Sequence, residues 1–323
     1  MTIRSLAGRD IEALGTALAG YPYHDYRAYP RLSAEGRVGL LVGELAEASR
    51  RGTVLATGPS GEKTTAVGFV APVDWDSAFF GVPMGRLGLL TPAGDDGGPA
   101  VTALVDALLA TAAKGGLQHL AIRIDCGQVR TVQVLESRGF RLVDCLSTYM
   151  YDYRRDPDPT LKRVVAVRDY RPDDLSAVLA VAERMFAEYG GRFTLDPWLP
   201  RDAARGFYVE WVRNACQGRM ADHMLVAERG GRLVGFLSWK TNTTVFAGAG
   251  VRIAGHGISA TLPEGTGAYP GLLTEGLIYT KKRGYDFAEF DTPIHNLLPQ
   301  RVFQRIGLRL VRTKYALHRG GSS

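Results

Sequence analysis

Cysteine is scarce in this chain: Cys126, Cys145 and Cys216 are the only three in 323 residues. Three thiols cannot build a disulfide framework, and their spacing fits no metal-ligand pattern. Neither a disulfide-stapled nor a metal-organised fold is expected, and a reducing compartment is. Long apolar runs are missing as well. No stretch approaches the roughly 20 residues that span a bilayer, and the opening MTIRSLAGRD has no apolar signal core. The expectation is a cytoplasmic protein with no membrane partner. A Lys/Arg run of the kind that marks a nucleic-acid tail is absent too. The positive excess is only +6, from 39 Lys+Arg against 33 Asp+Glu, which would suit an anionic small molecule as well as nucleic acid; the lack of a basic tail makes the small molecule, and no nucleic acid, the expectation. What is present is ordinary globular composition, 46% apolar and 22% charged. That excludes disorder, and the length fits two domains better than one core.

The chain says nearly the same thing twice. QVLESRGFRLVDCLSTYMYDYRR (133–155) and RVFQRIGLRLVRTKYALHR (301–319) each read as the end of an amphipathic helix, a Gly, and an alternating strand. Gly139 and Gly307 supply the left-handed turn that stops a helix, and the two-residue period after them is that of a strand. Upstream of each lies a strand-like run (HLAIRID, DFAEFDT), and before it a helix-like run (101–113, 272–283). TIRSLAGRDIEALGTALAG and VVAVRDYRPDDLSAVLAVAERMF open the copies alike. Two Asp-Pro steps and clustered charge in RRDPDPTLKR mark a linker. The expected organisation is an α/β (α+β) chain with domains 1–155 and 164–323 joined by 156–163.

This element order resembles the GNAT acyltransferase fold, a mixed, mostly antiparallel sheet flanked by helices. LVAERGGRLVGFLSW (225–239) is similar to that family's β2–β3 hairpin. GISATLPEGTGAYPGLLTEGL (257–277) is similar to its fourth strand, cofactor loop and helix, and DTPIHNLLPQRVFQRIGL (291–308) to the fifth strand and the helix after an Asn. More narrowly, RFTLDP, YVEWVRNACQGRMAD and DSAFFGVPMGRL resemble the dTDP-fucosamine acetyltransferase branch, which acetylates nucleotide-linked amino sugars. The likeness is strong over 164–319 and weak over 1–155.

The loop supports a phosphate reading without the family. A strand ending at Leu262 leads through Gly265, Gly267 and Gly271 into a helix, so bare backbone and a helix N-terminus face the same point. The resemblance implies acetyl-CoA or another acyl-CoA there. Ala260, Thr261 and Leu262 would run beside the pantetheine arm between two splayed strands, with an N–H near Ala260 for the thioester oxygen. Gly265, Thr266, Gly267, Ala268, Tyr269 and Gly271 would hold the pyrophosphate. Thr266 and Tyr269 depart from the family's usual Arg/Gln and Gly. Asn296 would contact the arm or cap the next helix. No metal is implied.

The family's proton-donating tyrosine is replaced by Phe303, which is expected to line the cofactor site without a hydroxyl. His256, His295 and Tyr269 are the candidates to take over acid or base work, with Tyr279 and Tyr315 behind them. Each histidine can equally be structural. For the acceptor, Arg192, Phe193 and Asp196 lie in a covering loop and Tyr208 on the next helix. Phe79 and Phe80 in the first half are substrate contacts or core. Asp95 and Asp96 would repel a pyrophosphate, so the first half is expected to be a degenerate copy that binds no cofactor.

The expected activity is direct acyl transfer from coenzyme A to the amine of a nucleotide-linked amino sugar or related metabolite. No Cys or Ser elbow for an acyl-enzyme is present. Two alternatives stand beside it. One is a GNAT-fold biosynthetic enzyme acting on an antibiotic, amino acid or polyketide intermediate, or with unusual thioester chemistry. The other is a non-catalytic acyl-CoA-binding module. A homodimer is compatible with all three.

Overall fold

The alternating runs of the sequence fold as strands and the 3.6-period runs as helices. The computed structural model describes residues 2–58, 64–91, 98–159, 164–241 and 249–320; Asp95 and Asp96 lie outside them. Two units result, one from residues 1–145, 247–249 and 313–323, the other from 146–246 and 250–312.

The first unit carries β1 (Ile3–Leu6), α1 (Arg9–Glu12), α2 (Gly15–Leu18), α3 (Ala34–Arg51), β2 (Thr53–Thr57), β3 (Ala66–Pro72), α4 (Asp74–Phe80), β4 (Met84–Leu90), α5 (Pro99–Lys114), β5 (His119–Asp125), α6 (Val129–Ser137) and the start of β6 (Arg141–Asp152). Its strands pair in the order β1-β2-β3-β4-β5, antiparallel except for β4 with β5. Alternation along β2 sends Val54 and Ala56 to a core with Leu14, Leu18 and Leu45. It sends Leu55 to a second core with Leu104, Leu108 and Leu135.

The second unit carries β7 (Ala166–Asp169), α7 (Leu175–Phe186), α8 (Arg201–Cys216), β8 (His223–Arg229), β9 (Arg232–Thr241), β10 (Ile253–Thr261), α9 (Ala268–Lys282), β11 (Phe287–Pro293), α10 (Leu297–Ile306) and the start of β12 (Arg309–Gly320). Its order is β6-β11-β10-β9-β8-β7, again antiparallel save one pair, β10 with β11. Helices α6 and α10 stop before Gly139 (φ 84°) and Gly307 (φ 97°), the left-handed turns expected.

The boundaries 1–155 and 164–323 describe the repeat in sequence; the units divide the chain differently. Residues 314–320 of β12 pair with β5, from Lys314 opposite Asp125 to Gly320 opposite His119. Residues 146–152 of β6 pair with β11, from Leu146 opposite Pro293 to Asp152 opposite Phe287. Each half thus contributes its last strand to the sheet of the other. Among the described residues, no helix is long and apolar enough to cross a membrane.

Candidate active site

In the second unit β10 and β11 stay together for three residue pairs, Ile253–Phe287 to Gly255–Glu289, and then part. β10 continues against β9 as far as Thr261 opposite Gly235, and β11 against β6 as far as Pro293. The parting starts at a bulge, where the β10–β9 register slips by one between His256 and Ser259. Ser238 Oγ fills the interrupted ladder, accepting from the Ile258 N–H at 2.8 Å and donating to the Ile258 carbonyl at 3.0 Å. Gly257 is required beside it, since a Cβ there would lie 2.5 Å from that oxygen. A bulge increases local twist, which turns β10 away from its parallel neighbour. Further on, the Leu262 N–H bonds the Val234 carbonyl at 2.8 Å. The alternation of an antiparallel ladder then commits Ala260 and Leu262 to β9 and directs the backbone of Ser259 and Thr261 into the gap. The backbone N–H of Ala260 thus faces β9, and those of Ser259 and Thr261 face the gap.

The loop that follows is tight. Gly265 N–H closes onto the Leu262 carbonyl at 2.9 Å and Ala268 N–H onto the Gly265 carbonyl at 2.8 Å. The amides of Thr266, Gly267 and Tyr269 meet no protein acceptor among the described residues, so donors remain at the positive end of α9. Gly267 sits at φ 85°, and a Cβ there would come within 2.0 Å of Val164 Cγ2. Gly265 and Gly271 are bare for packing instead: added Cβ atoms would meet Val234 at 3.0 Å and Val165 at 3.2 Å. Sequence reasoning missed two cations at this loop. Arg184 on α7 pairs with Glu264, and Arg229 donates to the Glu264 carbonyl at 3.0 Å. The backbone amide of Glu264 and the Arg184 guanidinium hold its carboxyl below the usual range. No sequence periodicity brings 184 and 264 together, so only the fold reveals them.

On the α9/α10 side of the parted strands, His256 Nε2 lies 2.9 Å from Ser259 Oγ. The His256 ring stacks on Phe290 at 5.4 Å. Phe303 is fully buried, 5.3 Å from Phe290 and 6.2 Å from Tyr269 between centroids. It is a core ring rather than a wall of the cofactor site. Burial pushes the His256 imidazole down to about 4, against the opposing pull of Asp291, and pushes the Tyr269 phenol well above its usual range. At neutral pH both are uncharged. Asn296 precedes α10 but its side chain makes no capping bond, which leaves the amide available to a ligand. His295 is exposed in the same turn. Tyr279 stacks on His223 at 3.6 Å toward the other end of α9, and Tyr315 belongs to the first unit beside Cys126, so neither joins this cluster.

The depressed His256 pKa is a stability statement. The unfolded chain binds a proton near 6.5 that the folded chain takes up only near 4, so the contribution is complete above 6.5 and lost as pH falls toward 4. After allowance for partial exposure, His256→Gln should remove on the order of 2 kcal/mol of this acid sensitivity. The check is a set of denaturant melts from pH 7 to 4 on both proteins; parallel curves would show that His256 does not titrate as described.

The acceptor residues read from sequence separate into two groups. Phe193, Asp196 and Tyr208 are enclosed by protein. Phe193 packs on Phe207 at 4.3 Å, Asp196 accepts the Trp198 N–H at 2.9 Å, and Tyr208 stacks on Phe186 at 5.5 Å. All three are buried. Arg192 remains half-exposed over the Phe193 ring. In the first unit Phe80 is buried, and Phe79 is half-buried between it and Trp75, which favours the core reading for Phe80. Three exposed apolar side chains, Ile294, Leu297 and Leu298, follow the end of β11, and a fourth, Leu195, lies in the covering loop. A Cβ on Gly190 would lie near both His295 (3.9 Å) and Leu195 (4.0 Å), which puts the covering loop beside the histidine.

No protein-family model matches the chain. It is 27% identical over 156 residues to the spore coat polysaccharide biosynthesis protein SpsD of Bacillus subtilis (strain 168), a match spanning 46% of this chain and 48% of that protein, about half the length of each. Solved structures match it almost end to end. A GCN5-related N-acetyltransferase from Sphaerobacter thermophilus superposes with TM-score 0.62 and 15% identity over 99% of this chain and 97% of its own. A tandem GNAT protein from the clavulanic acid biosynthesis pathway gives 0.56 and 16% over 100% and 99%. With one splayed parallel pair in each unit and full-length likeness to a tandem protein, the chain has the GNAT fold, present twice.

Proposed function

We propose that the second unit binds an acyl-coenzyme A and transfers its acyl group directly to an amine. The observation that carries this is the end of β10–β11 pairing at Gly255 and Glu289, while both strands keep their other partners. An extended pantetheine arm can add to such free strand edges. The unpartnered amides of Thr266, Gly267 and Tyr269 stand at the mouth of that gap for a diphosphate. Asn296 would contact the arm. Burial holds the thiols of Cys126, pushed up to about 12, Cys145 and Cys216 protonated, which supports direct transfer over an acyl-enzyme. The acceptor we infer is an amino group on a nucleotide-linked sugar, supported by the match to a polysaccharide biosynthesis protein and by Arg192 at the covering loop.

A second reading of the acceptor has its own observation. The exposed side chains of Leu195, Ile294, Leu297 and Leu298 suit an apolar biosynthetic intermediate better than a sugar nucleotide. Calorimetry with acetyl-CoA, followed by thiol-release assays with a dTDP-amino sugar and with an alkylamine, separates these. Saturable acetyl-CoA binding with amine-dependent thiol release is expected, and the preferred amine decides the acceptor class. Binding without release under any amine would make the protein a cofactor-binding module. No binding of any acyl-coenzyme A would overturn the proposal.

A further inference from the structure

In the first unit the parallel pair parts as it does in the second. β4 and β5 stay together from Met84 opposite His119 to Leu87 opposite Ile122. β4 then continues against β3 as far as Leu90 opposite Val67, and β5 against β12 as far as Asp125 opposite Lys314. We propose that Gln128 is the stopper of this first gap: its side chain bridges the parted strands across the place an extended pantetheine arm would take, and shortening it opens a second groove for such an arm. The ligand named for that groove rests on the acyl-coenzyme A reading; the closure stands on the first unit alone.

Gln128 and Asn296 hold the same place in the two copies, eleven residues before Gly139 and Gly307. They use it differently. The Asn296 side chain makes no capping bond, and the residue is half-buried. Gln128 is one methylene longer and only 1% exposed. Its Nε2 donates to Thr91 Oγ1 at 3.4 Å, and its Oε1 accepts from the Tyr21 hydroxyl at 3.3 Å. Thr91 directly follows β4 and is buried as well, so the amide reaches from the β5 side of the gap to the β4 side. A buried amide needs a partner at each end, and the two hydroxyls supply them. An amide is also the group that a pantetheine arm carries twice, so the side chain puts into the gap the kind of group the arm would bring.

The segment between α2 and α3 holds the stopper in place. Tyr21 packs on the core that also takes Leu90 at the end of β4. Tyr23 donates its hydroxyl to the Gly127 carbonyl at 3.4 Å, and a Cβ on Gly127 would lie 2.9 Å from the Tyr23 ring. Asp25 accepts from Lys314 of β12 at 2.7 Å, and Arg27 pairs with the buried Asp125 at 2.8 Å. Every second residue from 21 to 27 is therefore anchored, and the segment lies as a strap along the end of β5.

Hydrogen–deuterium exchange on the full chain, with and without millimolar S-acetylpantetheine, reads the gap directly. The probe carries the arm but no phosphate, so no phosphate site decides its binding. In the unaltered protein, exchange over 85–91 and 122–128 should be slow and unmoved by the probe. Gln128→Ala should speed it about tenfold, and the probe should slow it again by at least about threefold. Gln128→Asn, which gives the first unit the shorter amide of the second, should behave as Gln128→Ala; an amide needed only to cap α6 would be served by Asn. Tyr21→Phe, which frees one end of the amide, should speed exchange by less. Slow exchange over α5 is the control that the unit stays folded. Unchanged exchange in both Gln128 variants would overturn the stopper. So would faster exchange that the probe does not slow while it protects β10 and β11, and so would protection of the first unit in the unaltered protein, whose gap would then already be open. A probe that protects neither gap in any of the proteins would instead remove the reading on which the groove's ligand rests, leaving the closure to be judged by the exchange rates of the variants.

Discussion

Leu317→Ala is expected to loosen the first unit although the residue lies near the C-terminus. Leu317 is fully buried opposite Ile122, in the core with Leu104, Leu108, Leu135 and Phe140. Truncating such a side chain costs about 2–5 kcal/mol through lost burial and the cavity left behind. Hydrogen–deuterium exchange should rise in β4, β5 and α5 and stay low in α9 and β10. Leu273→Ala, in the core of the second unit, should give the opposite map. A chain ending at Arg312 loses every β12 residue paired with β5 and is expected to leave the first unit unfolded. Loss of protection in α9 and β10 on Leu317→Ala, with β5 untouched, would mean that this strand supports the second sheet instead.

That strand exchange marks where sequence reading ends. The repeat and the helix stops at Gly139 and Gly307 are visible because period and turn chemistry are local signals, whereas the mixed, mostly antiparallel sheets follow only from the family resemblance. Which sheet receives residues 314–320 is a long-range choice between two similar alternating strands, and nothing local distinguishes them. The site divides in the same way. The strand, glycine loop and helix from 253 to 282 lie in consecutive order and are legible in the sequence, whereas Asn296 is singled out only by the family resemblance. The bulge at His256 is not legible, because it depends on Ser238 reaching across from β9 to Ile258. Once the register slips, Ser259 becomes a partner of His256, a role strand alternation would deny it. Phe193, Asp196 and Tyr208 have residue types that suit an acceptor pocket and a packed loop equally well, and their burial is a property of the fold that no local signal carries. The arginines at Glu264 arrive from α7 and β8, 80 and 35 residues away.

Gly267→Glu should abolish acetyl-CoA binding, and the size of the loss can be argued from the loop. At φ 85° a side chain costs roughly 1–2 kcal/mol of backbone strain, and the Cβ must also displace Val164 Cγ2 from 2.0 Å. Those costs fall on the folded state and should lower the melting temperature of the free protein. The carboxylate acts on the ligand. Facing a diphosphate at about 4 Å near the surface, one like-charge pair costs about 4 kcal/mol, so the Kd should rise at least 100-fold even after screening. Gly267→Ala keeps the strain without the charge, and its Kd should rise only several-fold. Glu264→Gln tests the same field with the opposite sign, since it removes a negative charge from the loop and frees Arg184 from its ion pair; acetyl-CoA should bind more tightly, with a steeper dependence on salt. Calorimetry on the four proteins at two ionic strengths reads all of these at once. A folded Gly267→Glu protein that binds acetyl-CoA within threefold of wild type would show that the diphosphate sits elsewhere, since no arrangement of that loop places a carboxylate at residue 267 and an anion on its neighbouring amides without repulsion.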